Sequence, residues 1–339
     1  MHIVHVCLCG PYTDGFAYQE NELVTQHLAQ GHRVSVLATT ETYGNDLKLV
    51  HVLPGEGKTH DGAQLIRLPY RRWAPRALMA KLRSHPGVMN WLEQLAPDVV
   101  LFHGLTSWEL KTVALYKQRY PSKRFYADCH EDFNNSARTW ASKWVLHYAY
   151  YRRILRRCLP QIDKVLCVTV ESIAFARDFY GVDESLLELY PLGGKVFDDD
   201  EYTATRESTR ALKQWDERTM VFVQSGKLDR AKRLTDSLRA FTALPGAHLR
   251  FAIAGHIMSD VEDELRPLIA ADARIQELGW IEPMQLRALL CAADVYVQPG
   301  SQSATMQMSL CCRCPVVLDD VPSHRVLFNG NGFLVRDAA

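Results

Sequence analysis

Three short stretches of this chain place polar side chains or glycines directly after an apolar run. His130 follows Phe125-Tyr126-Ala127-Asp128-Cys129 and opens a loop that also carries Glu131, Asp132, Asn134 and Asn135. An imidazole, two carboxylates and two amides in one loop are the groups from which acid–base and hydrogen-bonding chemistry is built. His103 ends another apolar run without such company. Lys227 and Lys232 stand five apart in Ser225-Gly226-Lys227-Leu228-Asp229-Arg230-Ala231-Lys232-Arg233, after the run Met220 to Gln224. Reaching out from a loop and a helix start, the two ammonium groups can hold one diphosphate; a solvated surface cluster is the alternative. The third stretch, Gly10-Pro11-Tyr12-Thr13-Asp14-Gly15-Phe16, offers glycine N–H groups beside a helix start, where an anion can bind. Its glycines equally suit a simple turn, because the pattern is not GxGxxG.

Other chemistries lack their parts. The chain has no GxSxG elbow, no HExxH and no Walker lysine loop, which removes the serine hydrolase, zinc protease and P-loop readings. Lysine plus arginine equals aspartate plus glutamate at 39 each, so no global field attracts nucleic acid, and none is expected as a partner. Cys7, Cys9 and Cys167 lie in apolar strand-like runs, and Cys311, Cys312 and Cys314 read as a buried helix end. Free thiols and no bound metal are expected. The N-terminus has no basic signal region, and no stretch approaches the roughly 20 apolar residues of a membrane span; a cytoplasmic protein is expected.

The elements that must position these residues alternate between two periodicities. Strands at His2–Leu8 and Arg33–Ala38 flank a helix over Tyr18–Gln30, and further strands fall at Asp98–His103, Arg124–Cys129 and Lys164–Val170. This is an α/β pattern, a doubly wound parallel sheet assigned to residues 1–190. Pro191, Gly193, Gly194 and the acidic run Asp198-Asp199-Asp200-Glu201 predict a linker over 191–218, poor material for packing. A second series over 219–339 repeats the theme: strand Met220–Gln224, helix Arg233–Ala243, strand Leu249–Ala254, helix Asp260–Ala271, strand Ile275–Gly279, helix Met284–Ala292 and strand Asp294–Gln298. Open parallel sheets bind ligands beyond the carboxyl ends of their strands, so two such domains facing a cleft are expected to line it with strand-to-helix loops.

Two basic-aromatic stretches stand out. Residues 71–83 hold Arg71, Arg72, Trp73, Arg76, Lys81 and Arg83; residues 140–157 hold Trp140, Trp144, Tyr148, Tyr150 and Tyr151 with Arg152, Arg153, Arg156 and Arg157. The second reads as an amphipathic helix. These surfaces suit peripheral contact with anionic lipid, or else an ordinary helix with aromatics on the core.

Ordered along the chain, these features resemble the retaining glycosyltransferases grouped as family 4, of GT-B architecture. Gly226-Lys227-Leu228 followed by Lys232 is similar to the family's Gly-Arg-Leu and downstream Lys. Ala252-Ile253-Ala254-Gly255 resembles its next strand ending in glycine, and Leu278-Gly279 with Ala292 to Pro299 resembles the pair that leads into its donor loop. The resemblance implies that Lys227 and Lys232 hold the diphosphate of a nucleotide-sugar donor, without a metal or other cofactor. It implies further that His130 lies near the transferred sugar and that the Gly10–Gly15 loop meets the donor phosphates. The family's two glutamates, eight apart, have no counterpart: Gly300 and Met308 stand there. The loop Pro299-Gly300-Ser301-Gln302-Ser303-Ala304-Thr305-Met306-Gln307 resembles a Gln-Ser variant, in which amides and hydroxyls of Gln302, Ser303, Ala304, Thr305 and Gln307 serve the donor instead. A glycan, polyprenyl-linked or small-molecule acceptor is implied, in envelope polysaccharide synthesis. A nucleotide-sugar 2-epimerase using Glu131 and Asp132, or a degenerate binding subunit, are the competing readings. Gly330 to Val335 resembles the segment before the family's final helices, and the crossing C-terminal helix is expected to be absent.

Overall fold

The computed structural model describes residues 1–16, 18–44, 48–133 and 135–336. Asn134, and the last three residues of the segment 219–339, lie outside the described residues. The chain divides into two compact units, Met1–Pro191 and Leu192–Ala339.

The first unit carries strands β1 (His2–Cys7), β2 (Arg33–Thr39), β3 (Glu41–Tyr43), β4 (Leu49–His51), β5 (Gly55–Lys58), β6 (Gln64–Leu68), β7 (Val99–Phe102), β8 (Arg124–Cys129), β9 (Lys164–Cys167) and β10 (Leu187–Leu189). Eight of them form one sheet in the order β10-β9-β8-β7-β1-β2-β6-β5, parallel except for β5 against β6, while β3 and β4 form a separate antiparallel ribbon. Its helices are α1 (Gln19–Ala29), α2 (Arg76–Leu82), α3 (Val88–Leu95), α4 (Leu110–Arg119), α5 (Arg152–Cys158) and α6 (Val170–Ala174). A π-helical stretch, Ser142–Tyr151, runs directly into α5.

Period-two alternation sorts the side chains of the sheet to its two faces. Val4, Val6 and Leu37 join Phe102, Phe125 and Val165 in the larger core. Cys7, Val34, Val36 and Ala38 turn the other way, onto Tyr12 and Val24 of the α1 side. Every residue of β1 is buried, as a central parallel strand covered on both faces requires.

The second unit repeats the theme with α7 (Asp199–Leu212), β11 (Met220–Leu228), α8 (Leu234–Thr242), β12 (Leu249–Ile257), α9 (Glu262–Ala271), β13 (Ile275–Gly279), α10 (Pro283–Ala292), β14 (Val295–Gln298), α11 (Ala304–Cys311), β15 (Val316–Asp319), α12 (Pro322–Arg325) and β16 (Gly332–Val335). Its sheet is wholly parallel, in the order β13-β12-β11-β14-β15-β16. Phe241 and Phe251 meet edge to face, 5.3 Å between ring centres, in the core beneath α8.

Two expectations need correction. The stretch read as a linker contains α7: Asp198 caps it by accepting the N–H of Glu201 at 2.8 Å, and Asp199, Asp200 and Glu201 complement the positive end of the helix. An acidic run unsuited to a core is well suited to a helix start. Arg206 and Arg210 then anchor α7 on Asp294, at 2.5 and 3.2 Å, and on the carbonyls at the end of α10. The second correction concerns β11 and β12, which continue beyond Gln224 and Ala254. Gly226 and Lys227 are therefore strand residues, paired with Gly255 and His256.

Candidate active site

In the first unit a cavity of about 360 Å³ opens at the carboxyl ends of β1, β7 and β8. Gly10, Pro11, Glu20, Arg83, His130 and Glu131 are among the residues that line it. Arg83, predicted as part of a surface patch, instead turns inward. Its guanidinium donates to the Thr106 carbonyl at 2.9 Å and to the Thr106 hydroxyl, and stacks over Tyr151 with 5.5 Å to the ring centre. The Thr106 hydroxyl in turn donates to Glu131 at 2.8 Å. Burial pushes the Cys9 thiol, also on this wall, up to about 12, so it is no nucleophile at neutral pH.

His130 is held from behind. Its Nε2 lies 3.4 Å from Oδ2 of Asp128, which is buried on β8. Burial alone would lower the His130 pKa, but Asp128 outweighs it, with help from Glu20 and Glu131, and raises it to about 9. Burial would also raise the Asp128 carboxyl; the hydrogen bonds it accepts from His103 and His130 hold it well below the carboxylate range instead. Asp128 also accepts from His103 Nδ1 and from the Gly104 N–H, both at 2.6 Å. The left-handed Gly104 (φ 103°) is required here, since a Cβ would sit 2.7 Å from the Cys9 sulfur.

The loop from Gly10 to Gly15 leads into α1, whose first turn carries Glu20 and Glu22. Protein carboxylates already complement that helix end; Gly10 and Pro11 of the loop line this cavity, and Gly15 is not among its lining residues. Gly15 is left-handed (φ 76°), whereas Gly10 is not, and open space surrounds it.

In the second unit the two lysines part company. Lys227 is exposed on β11, and its ammonium has no partner among the described residues. Lys232 sits in a short 3₁₀ turn, Arg230–Lys232, rather than at a helix start, and is 9% exposed. Its Nζ donates to the Ser301 carbonyl at 2.9 Å, the Ser301 hydroxyl at 2.8 Å and the Gln302 carbonyl at 2.7 Å. All three ammonium donors are thus spent on the Pro299–Ser303 loop. Gly300 packs so closely on this turn that a Cβ would fall 2.2 Å from the Ala231 carbonyl oxygen.

Below the loop, the Tyr296 hydroxyl donates to Gln298 Oε1 at 2.9 Å, and Ser303 donates to the same oxygen at 3.0 Å. Ser303 also caps α11 by accepting the Met306 N–H, and Thr305 donates to the Ser225 carbonyl at 3.0 Å. Ala304 begins α11 and is exposed; Gln302 is half-buried. Gln307 and Met308 are enclosed, 1% and 3% exposed, and among the described residues neither polar atom of the Gln307 amide has a hydrogen-bond partner. Gly226 and Gly255 face each other across β11 and β12 with φ of 118° and 140°, and a Cβ on Gly255 would lie 1.9 Å from the Gly226 oxygen.

A further cavity, about 280 Å³ beside α8 and α9, is lined by charges that already pair: Arg230 with Glu264 and Arg233 with Asp236, both at 2.7 Å. The structure therefore groups His130, Glu131 and Gly10 in one unit, and Gly226, Lys227, Lys232, Gly255, Gln302, Ser303, Ala304, Thr305 and Gln307 in the other. Asp128 is an addition that the reading of the site from sequence missed; it joins His103, noted there only as ending an apolar run, and Arg83, read there as part of a surface patch. The signal for Asp128 was parity: His103, Asp128 and His130 fall on one sheet face once β7 and β8 are aligned Phe102 to Ala127.

The family described as Glycosyltransferase Family 4 matches residues 17–193, more than half of the chain, and the one described as Glycosyl transferases group 1 matches residues 217–339. Among solved structures, sucrose-phosphate synthase from Thermosynechococcus elongatus is 15% identical with a TM-score of 0.65, over 100% of this chain and 86% of that one. The catalytic domain of starch synthase IV from Arabidopsis thaliana, bound to ADP and acarbose, is 12% identical with a TM-score of 0.66, over 100% and 89%. Anabaena HepE in complex with UDP and glucose is 14% identical with a TM-score of 0.58, over 100% and 86%. These likenesses confirm the fold. No curated protein matches in sequence.

Proposed function

Because the chain belongs to Glycosyltransferase Family 4, we propose that it moves a sugar from a nucleotide-diphosphate donor to a glycan, lipid-linked or small-molecule acceptor of envelope polysaccharide synthesis, with retention and without a metal. The observation that carries the donor assignment is the contrast between the two lysines. Lys232 fixes the Pro299–Ser303 loop and Lys227 keeps its ammonium uncommitted among the described residues, so a preset loop and an exposed cation are available to a diphosphate. A positive charge beside a departing diphosphate stabilises the transition state as a divalent ion would. The bound UDP of HepE and ADP of the starch synthase support a nucleoside diphosphate. In the first unit, His130 as an imidazolium donates to sugar hydroxyls, with Glu131 and Arg83 shaping the acceptor wall.

Calorimetric binding of UDP, GDP, ADP and CMP to the purified chain tests the donor site. One nucleoside diphosphate binds, and Lys227→Ala loses most of that affinity; no binding by any of the four overturns the reading.

Peripheral contact with an anionic membrane is the second part of the proposal. Trp140 (73%), Trp144 (44%) and Tyr148 (43%) are exposed beside the exposed Arg153, Arg156 and Arg157, a surface that suits a lipid headgroup region. Tyr151 does not take part, since it is core. Among the described residues no helix is long and apolar enough to cross a membrane. Co-sedimentation with vesicles of phosphatidylcholine, with and without phosphatidylglycerol, tests this: binding requires the anionic lipid and drops in Trp140→Ala/Trp144→Ala. Equal recovery with both vesicle types would overturn the contact.

A further inference from the structure

The first unit contains a continuous file of side chains behind His130. His27 Nδ1 lies 3.0 Å from His5 Nε2, His5 Nδ1 lies 2.9 Å from His103 Nε2, and His103 Nδ1 lies 2.6 Å from Asp128 Oδ2, which faces His130. His27 is half-buried in the last turn of α1, while His5, His103 and Asp128 are 0%, 8% and 1% exposed. Two enclosed histidines, His5 and His103, are costly to bury unless every nitrogen that lacks water finds a partner, and with His27 each contact continues the next.

With Asp128 ionised it can only accept, so His103 carries its proton on Nδ1. For neutral rings one order then satisfies the rest: His5 Nδ1–H donates to His103 Nε2, and His27 Nδ1–H donates to His5 Nε2. These tautomers are assigned from the hydrogen-bond pattern. His5 is buried in a way that strongly disfavours its charged form, and His27 is shifted in the same direction by burial, in keeping with neutral rings. The file therefore delivers N–H groups toward Asp128 from one side. The Gly104 N–H takes the other carboxylate oxygen, and His130 receives what remains of Oδ2.

We propose that Asp128, seated on the His27–His5–His103 file, is a positioning residue for glycosyl transfer: it holds one edge of the His130 ring and fixes the imidazole toward the cavity it shares with Glu131 and Arg83. The role rests on the glycosyltransferase reading, because His130 is the group that meets the sugar. Asp128 touches no ligand-facing space of its own. The charged groups around His130 are Asp128 on β8, Glu131 in its own loop and Glu20 on α1, with Arg83 across the cavity.

The experiment is an NMR titration of His130 in ¹³C,¹⁵N-histidine-labelled full chain, assigned with His130→Gln. In the wild type its midpoint lies near 9; in Asp128→Asn it falls by about two and a half units, a roughly 300-fold loss of proton affinity, to near the ordinary 6.5. His103→Gln moves it the other way, to 9 or above, because Asp128 then has one fewer partner to share. Simple loss of packing would move both variants alike, so this pair of directions separates positioning from damage, and it remains decisive if Asp128→Asn fails to fold. A wild-type midpoint at or below 6.5, an unchanged midpoint in Asp128→Asn, or a fall in His103→Gln overturns the proposal. Once a donor is identified, Asp128→Asn lowers kcat at least tenfold and leaves KM for the donor within twofold; a change in KM alone also overturns it. If no sugar is transferred to any acceptor, that result counts against the proposed function, and the titration still decides the role of Asp128.

Discussion

Nζ of Lys232 lies 2.9 Å from the Ser301 carbonyl oxygen and 2.8 Å from its hydroxyl. Lys232 is the tether of the loop that follows β14. Lys227, five residues earlier on the strand, makes no such bond.

The two lysines should separate in a stability assay. Lys232→Met loses three charge-assisted hydrogen bonds and takes the donor from the Gln302 carbonyl, which costs on the order of 2–3 kcal/mol. Lys227→Met stays within about 0.5 kcal/mol of wild type, as an exposed substitution does, yet loses nucleotide affinity. Urea unfolding paired with calorimetric titration of the nucleotide reads both effects; equal stability of the two variants would contradict the tether.

Gly255 and Gly10 form a second contrast. Gly255→Ala places a Cβ 1.9 Å from a backbone oxygen at a φ of 140°, and should cost more than about 3 kcal/mol or prevent folding of the second unit. Gly10→Ala, with nothing within 4 Å, should change stability by less than about 1 kcal/mol. Soluble yield and denaturation midpoints decide.

Asp294→Ala removes the acceptor shared by Arg206 and Arg210 and leaves the buried Arg210, 9% exposed, without its carboxylate. Breaking such a pair is expected to cost about 3 kcal/mol, while Arg313→Ala, whose partner Asp199 is exposed, should cost under about 1 kcal/mol. Thermal denaturation of both variants checks the ranking.

Stability should depend on pH through His130. Its folded pKa, raised to about 9, exceeds the ordinary 6.5, so the folded form binds more protons between those values. The contribution is complete below pH 6.5 and is lost as pH rises through 9. The melting temperature of wild type should therefore fall more steeply from pH 6.5 to 9 than that of His130→Gln, and parallel slopes would remove His130 as the cause.

Much of this was legible in sequence. The strands at 124–129 and 275–279 coincide with their expected spans, and β1, α1 and β14 differ only at their ends, because uninterrupted apolar runs and glycine or proline stops are local signals. The ordered motifs around Gly226, Gly255 and Pro299 carried the family. The acidic run at 198–201 was misread, since its stabilising partner is the dipole of the helix it starts, and Asp294 lies far along the chain.

What the sequence determined by itself was the pair of α/β units, the family, and the identity of His130, Lys227 and Lys232 as residues worth testing. What only the tertiary structure decided was their division of labour. Whether an ammonium is free or spent depends on Ser301 and Gln302 returning to within 3 Å of Lys232 from about 70 residues away. Whether an imidazole keeps its proton depends on a buried carboxylate whose own charge is maintained by His103, just past the end of the neighbouring strand. Hydrogen bonding and desolvation act over a few ångströms in space, and chain separation carries no information about that distance until the strands are in register.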